Sequence, residues 1–354
     1  MRKVHIDKVE PWSKLGKTIF SSDGRILLQA GVRLKRSYIE KLKCHNIAEL
    51  YVEDDISEGI AVRDVVCDET RQEAKSIIKD VLKTYVLSNS INAEHAMSAV
   101  DKIIDDILSH KDILVNLTDI KSIDDYTFEH SINVCILSVV TGIELGMSMP
   151  RLRELGLGAL LHDIGKIKIP EQILKKPSVL TPDEFDEIKR HTVYGYEALK
   201  KNGNISVSSA MVSFAHHERL NGSGYPLQVK GESIHQFAKI AAVADVYDAL
   251  MSDRVYRSKL HPYAAYEYVT SMANHYFDQE VLESFVKHIA VYPVSSGVVL
   301  NTGERGIVAK ANKNMPTRPI VRIIYDADGK KLSNYYELDL AKQLNVVIAG
   351  VCEI

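Results

Sequence analysis

A set of histidines and aspartates embedded in apolar stretches restricts this chain more than any other feature. Leu152-Arg153-Glu154-Leu155-Gly156-Leu157-Gly158-Ala159-Leu160-Leu161 reads as a compact helical segment that runs directly into His162-Asp163-Ile164-Gly165. Asp245 lies inside Ala241-Ala242-Val243-Ala244-Asp245-Val246-Tyr247, and the doublet His216-His217 follows Met211-Val212-Ser213-Phe214-Ala215. Acids in such surroundings are buried, and a buried, unpaired carboxylate costs several kcal/mol. A stable fold must therefore set something cationic against them. With His130 and His191, five of the 13 histidines and two aspartates fall between positions 130 and 245. Neutral imidazoles and carboxylates converging in a helical bundle suit divalent first-row metals. Singly, each has a plainer role: a satisfied core histidine, or an aspartate accepting from backbone N–H groups. Jointly they favour one site.

Two further features belong beside this group. Lys166 follows His162 by four residues, and a cation next to metals makes sense if the ligand is an anion, for which phosphate oxygens fit best. The alternative is a solvated surface lysine. His216-His217-Glu218-Arg219-Leu220-Asn221-Gly222-Ser223-Gly224-Tyr225-Pro226-Leu227 places two glycines and a proline directly after the histidine doublet, which forces a tight, non-helical loop with Tyr225 at its tip. A projecting aromatic near such a centre can stack a base or grip a partner. The plainer reading is a helix-ending turn.

Around this core the texture changes along the chain. Residues 1–58 read as a small α+β module: two short apolar runs flank Ser22-Asp23-Gly24 as in a hairpin, then come a helix over 36–43 and a strand over 48–52. Residues 59–110 form a helical linker, with Ile77, Ile78, Val81, Leu82 and Tyr85, then Val100, Ile103, Ile104, Ile107 and Leu108, at helical spacing. The stripes within 68–110 suit either domain connection or a homodimer. Residues 111–290 are predominantly helical; Thr181-Pro182-Asp183-Glu184 carries the residues of a capped helix start. Residues 291–354 form a β-rich module of short β-branched runs, among them 298–300, 306–308, 320–325 and 346–348. The fold class is thus mainly α, with a small module at either end.

Composition excludes several function classes. Charged residues make up 26% of the 354 and the net charge is -3, so no global positive field draws the chain to DNA. No apolar stretch approaches the roughly 18 residues that cross a bilayer. The N-terminal Met1–Lys14 segment lacks the apolar core of a signal peptide. Cys44, Cys67, Cys135 and Cys352 are widely spaced, as in a reduced, cytoplasmic protein.

Tyr126-Thr127-Phe128-Glu129-His130-Ser131, His162-Asp163-Ile164-Gly165-Lys166, the His216–Pro226 segment, and Ala244–Arg257 occur in an order that resembles the HD-GYP family, a branch of the HD metal-dependent phosphohydrolases. The resemblance covers about residues 115–290. It implies a helical HD-type bundle holding divalent metal ions, iron or manganese. It further implies hydrolysis of the cyclic dinucleotide c-di-GMP, its partner molecule, to linear pGpG and in many members to GMP. By resemblance, His130, His162, Asp163 and Asp245 are ligands of one metal, with Asp163 bridging. His191, His216 and His217 hold the second. Lys166 lies by the scissile phosphate; Arg254 and Arg257 hold substrate phosphates; Gly224, Tyr225 and Pro226 form the loop that names the family. Members with a third metal carry a glutamate four residues before the first histidine. Here that position is Tyr126, and Glu129 sits on another helical face, so two metals are expected. The expected chemistry is attack on phosphorus by a hydroxide readied between two metals about 3.5–4 Å apart.

Three other readings remain open at this point. The chain could be an HD hydrolase for a mononucleotide or another cyclic dinucleotide, and no residue reads a base edge. It could be a catalytically silent c-di-GMP receptor, although every two-metal position is filled. It could be a purely structural helical protein.

Overall fold

The computed structural model describes residues 1–21, 24–45, 47–110, 113–116, 126–252 and 259–354. The chain divides into two compact units. One comprises Met1–Asp64, Asp112–Tyr126 and Ile289–Ile354; the other comprises Val65–Lys111 and Thr127–His288.

In the first unit, β1 (Arg2–His5), β5 (Glu49–Glu53) and β2 (Lys14–Leu15) form an antiparallel sheet in the order β1-β5-β2. The helix α1 (Arg36–Cys44) buries Ile39 and Leu42 in a core with Leu15, Leu34, Leu50 and Val52. The hairpin expected around residues 22–24 is present as β3 (Ile19–Phe20) paired with β4 (Ile26–Leu28); Ser22 and Asp23 lie outside the described residues. The C-terminal segment supplies β6 (Gly297–Leu300), β7 (Arg305–Lys310), β8 (Ile320–Tyr325), β9 (Lys331–Asp339) and β10 (Ile348–Val351). These make a five-stranded antiparallel sheet in the order β10-β6-β7-β8-β9. Ile60 packs with Ile307 and Ile324, and Arg322 donates from Nη1 to the Ile56 carbonyl at 3.2 Å, so the linker start adheres to this sheet.

The second unit is helical. The stretch 68–110 is two helices, α2 (Asp68–Ser88) and α3 (Ala93–Ser109), broken where Asn89 adopts a left-handed φ of 52° and Asn92 caps the next helix. Ile77, Ile78, Val81, Tyr85, Val100, Ile103, Ile104 and Ile107 are buried within the chain, while Leu82 and Leu108 are half-buried. Then follow α4 (Tyr126–Glu144), α5 (Met149–Leu160), the short α6 (Glu171–Leu174), α7 (Pro182–Lys189), α8 (His191–Lys201), α9 (Val207–Ala215), α10 (Gln236–Met251), α11 (Pro262–Ser271) and α12 (Gln279–Val286). At α7 the expected capping box is formed: Thr181 Oγ1 accepts from the Glu184 N–H and the Glu184 carboxylate accepts from the Thr181 N–H. Between α5 and α6 the chain tightens into a 3-10 turn over Ile164–Lys168, and α10 is buried on nearly every side. No described helix is long and apolar enough to cross a membrane.

Candidate metal centre

The histidines and aspartates singled out in the sequence meet inside the helical unit. His130 comes from α4, His162 and Asp163 from the exit of α5, His191 from the first residue of α8, His216 and His217 from the end of α9, and Asp245 from α10. Their approach depends on glycine. A Cβ on Gly165 would stand 1.9 Å from the His191 carbonyl oxygen and 2.5 Å from the Gly195 nitrogen. Only a residue without a side chain lets the turn after Asp163 lie on the backbone of α8. His191 Nε2 consequently sits 3.4 Å from Asp163 Oδ1.

The candidate ligand atoms fall into three overlapping groups, each with all its atoms within 4.8 Å of one another: His191, His216 and His217; His130, His162 and Asp245; and His162, Asp163 and His216. Asp163 lies between the first two. Its Oδ1 is 3.4 Å from His191 Nε2 and 3.9 Å from His216 Nε2, while its Oδ2 is 3.3 Å from His162 Nε2 and 3.9 Å from His130 Nε2. Asp245 faces His130 Nε2 at 3.2 Å and His217 Nδ1 at 3.6 Å.

The far side of each ring fixes its proton. His162 Nδ1 lies 2.8 Å from the Ala159 carbonyl oxygen, and His191 Nδ1 lies 2.6 Å from that of Ile188. His216 Nδ1 is 3.0 Å from the carbonyl oxygens of both Val212 and Ser213. His130 Nδ1 is 2.7 Å from Asp248 Oδ2. Carbonyl and carboxylate oxygens only accept, so each Nδ1 carries a proton and each ring turns its Nε2 into the cluster. That arrangement is the one by which proteins orient histidines toward a metal. His162 Nε2 and Asp163 Oδ1 are buried with no hydrogen-bond partner. Buried orphaned acceptors are costly, and a cation between them would satisfy both. The residues present therefore fit a divalent metal.

The electrostatics agree. Burial by itself would raise the carboxyl of Asp163, but His162 and Lys166 hold it well below the usual range. Asp245 is likewise held well below despite burial, chiefly through its hydrogen bond to His130. Burial lowers His191; burial with His162 and His191 beside it pushes His216 down to about 3; burial and His216 push His217 well below its ordinary value. These three imidazoles stay neutral, as ligands must. His130 runs the other way: burial opposes its charge, but hydrogen bonds to Asp245 and Asp248 raise it to about 10. Nε2 thus takes up a proton in the direction where a metal would replace it.

The remaining expected residues are arranged unevenly. Lys166 Nζ is 2.5 Å from Asp163 Oδ2, with its side chain partly exposed. Tyr225 does not project from its loop; its ring stacks on His217 with centroids 4.6 Å apart and 30° between planes. The loop is pinned there because Gly224 lies against the doublet, where a Cβ would stand 2.4 Å from the His217 carbonyl oxygen. The Tyr225–Pro226 peptide is cis. Arg254 and Arg257 lie outside the described residues. Glu129 turns to Lys75, 3.4 Å away.

Two supporting residues were missed in the sequence. Asp248 is fully buried and orients His130; its signal was the spacing Asp245-Val246-Tyr247-Asp248, which puts both acids on one face of α10. Glu218 is buried beside the doublet, and its Oε1 accepts from the Leu227 and Gln228 N–H groups at 2.7 and 3.1 Å, closing the loop.

A buried His/Asp cluster of this form in a helical unit is the hallmark of a metal-centred helical domain. Residues 104–281, half of the chain, match the HD domain family, and residues 297–354 match the KOW domain associated with HD domain. The chain belongs to the HD domain family, and its relatives and motifs make it of the HD-GYP type. It is 36% identical over 259 residues to a cyclic di-GMP phosphodiesterase of Pseudomonas aeruginosa, covering 73% of this chain and 62% of that one. It is 37% identical over 159 residues to a 3'3'-cGAMP-specific phosphodiesterase of Vibrio cholerae, covering 44% of this chain and 36% of that one. The chain thus spans less than two thirds of the length of these curated relatives. An HD-GYP-type protein of Bdellovibrio bacteriovorus shares the fold at a TM-score of 0.53 and 17% identity, covering 80% of this chain and 97% of that one.

Proposed function

We propose that this chain is a phosphodiesterase that hydrolyses cyclic di-GMP to pGpG, and onward to GMP, at a pair of divalent ions, iron or manganese. The observation that carries the reading is the set of four imidazoles whose Nδ1 protons are tied back and whose Nε2 atoms meet around Asp163, whose Oδ1 is buried with no hydrogen-bond partner. His130, His162 and Asp245 would hold one ion, His191, His216 and His217 the other, and Asp163 would face both. Tyr126 in place of a glutamate, and Glu129 engaged with Lys75, favour two ions over three. Bound there, the ions would supply a water acidic enough to lose its proton near neutral pH and would draw charge from the phosphoryl oxygens. Hydrolysis places the water's hydroxyl on phosphorus, breaks the bond to the 3′ oxygen and leaves that oxygen protonated. Lys166, beside Asp163 and partly open to solvent, would neutralise charge growing on a phosphoryl oxygen. Tyr225 would offer the edge of the His217 stack to a base, and Arg254 and Arg257 would hold the second phosphate. Residues 111–290 would be the catalytic segment. The free thiols of the four cysteines suit a reducing, cytoplasmic setting.

The test is metal analysis and product chromatography on anaerobically purified protein, with Asp163→Ala as the control. Turnover is expected to vanish in that variant, and full activity there would refute the scheme. The likeness to a 3'3'-cGAMP-specific enzyme favours a mixed adenine–guanine dinucleotide as a second substrate reading. Parallel incubations with each dinucleotide separate the two. Tight binding without products would instead mark a receptor.

A further inference from the structure

The metal ligand His130 is held from outside the segment that matches the HD family. Its Nδ1 donates to Asp248 Oδ2 at 2.7 Å. The other oxygen of Asp248, Oδ1, accepts from Asn133 Nδ2 at 2.8 Å. Asn133 Oδ1 in turn accepts from Arg71 Nη1 at 2.8 Å. His130 and Asn133 lie one turn apart on α4, whereas Arg71 is in the first turn of α2, well before residue 104 where the family match begins. His130, Asn133 and Asp248 are all buried.

The chemistry of this chain has one consistent direction. A guanidinium can only donate and a carboxylate can only accept. An asparagine between them must point its oxygen at Arg71 and its amide nitrogen at Asp248. Asparagine is otherwise free to turn over, and the turned form would set its oxygen against the Asp248 carboxylate. Arg71 therefore fixes Asn133, Asn133 fixes the rotation of Asp248, and Asp248 fixes the ring plane and tautomer of His130. The same face of α2 continues the docking one and two turns on. Lys75 pairs with Glu129 at 3.4 Å, and Lys79 lies 5.2 Å above the Phe128 ring.

We propose that Arg71 is a positioning residue for the metal centre: through Asn133 and Asp248 it holds His130 in its metal-binding orientation, so that this hydrogen-bonded relay from α2, and not the other contacts of that helix, sets metal affinity. The proposal rests on the metal reading above. It assigns to the helix that enters this unit a part in the site that the ligand pattern does not contain.

The experiment measures Mn²⁺ affinity of the full chain by competition with a chelator, without reference to turnover. Arg71→Met keeps the packing of the stem and removes the donors. Loss of an outer support for a metal ligand costs about tenfold in affinity or more, and that is the weakening expected. Asn133→Ala is expected to weaken binding similarly, and adding Arg71→Met to it should change affinity less than twofold, because both act through one path. Lys79→Ala, on the same face but outside the relay, should bind Mn²⁺ as wild type does even if its Tm falls. A wild-type affinity in either Arg71→Met or Asn133→Ala overturns the relay, as do multiplied losses in the double variant. Should Arg71→Met fail to fold, Asn133→Ala alone decides. A wild-type chain that takes up no Mn²⁺ overturns the metal reading and the relay together, whereas wild-type uptake with unaffected variants overturns the relay alone.

Discussion

Replacing Gly165 by alanine tests whether backbone contact, rather than ligand identity alone, assembles the site. The added Cβ would stand 1.9 Å from the His191 carbonyl oxygen, and side-chain carbons essentially never approach heavy atoms closer than 3.0 Å. The turn carrying Asp163 and the start of α8 must therefore separate by at least about 1.1 Å, the difference of those two distances, with backbone on both sides. His191 Nε2, now 3.4 Å from Asp163 Oδ1, moves away with its helix. Overpacking of this kind costs roughly 1–3 kcal/mol. In a helical unit of about 200 residues each kcal/mol lowers Tm by roughly 2–4 °C, so a fall of about 2–12 °C is expected for metal-free protein. The larger effect should appear with metal. A ligand at 100 times its Kd stabilises the folded state by about 2.7 kcal/mol, and Gly165→Ala should lose most of that upshift because the two ligand groups no longer share Asp163. Calorimetry of wild type and variant, each chelator-treated and each with excess Mn²⁺, reads both quantities. A variant that keeps the wild-type Tm and the full Mn²⁺ upshift would refute the argument that this close approach builds the site.

Two further outcomes follow from the electrostatics. Lys166→Ala should lower kcat by about 10²-fold, the scale of one lost transition-state donor, and should leave Mn²⁺ affinity within a few-fold, since Lys166 is not placed as a ligand; steady-state kinetics with a parallel metal titration checks both. Metal-free protein should be acid-labile. His191, His216 and His217 are lowered in the fold, so the unfolded chain takes up protons that the folded cluster refuses; their stabilisation is present above about pH 6.5 and fades as pH falls, down to about 3 for His216. Asp163 and Asp245, also lowered, add a loss below about pH 4. Tm of chelator-treated protein should decline from about pH 6.5 down to 4, whereas between pH 8 and 6.5 His130, raised to about 10, adds stability as pH falls; a flat profile below pH 6.5 would contradict neutral imidazoles at the cluster.

How much of this was legible beforehand differs by element. The helix over 36–43, observed as Arg36–Cys44, the capped start at Thr181 and most C-terminal strands followed from periodicity and turn residues, which act over a few neighbours. The strand β9 did not, because Lys331-Leu332-Ser333-Asn334-Tyr335-Tyr336-Glu337-Leu338-Asp339 is largely polar and half-exposed; pairing with β8 makes it a strand. The inward stacking of Tyr225 likewise depends on Gly224 lying against the histidine doublet.

By itself the sequence determined that imidazoles and carboxylates stand on apolar helices and must be satisfied together, because charge cannot be buried alone. It also determined where helices begin, since capping is a local matter. Only the tertiary structure decided which nitrogen of each ring faces the cluster, that Asp163 lies between two ligand groups, and that Arg71 reaches His130 through Asn133 and Asp248. Those facts depend on distances between segments far apart along the chain, set by close contacts such as that of Gly165 with α8, and no local pattern encodes them.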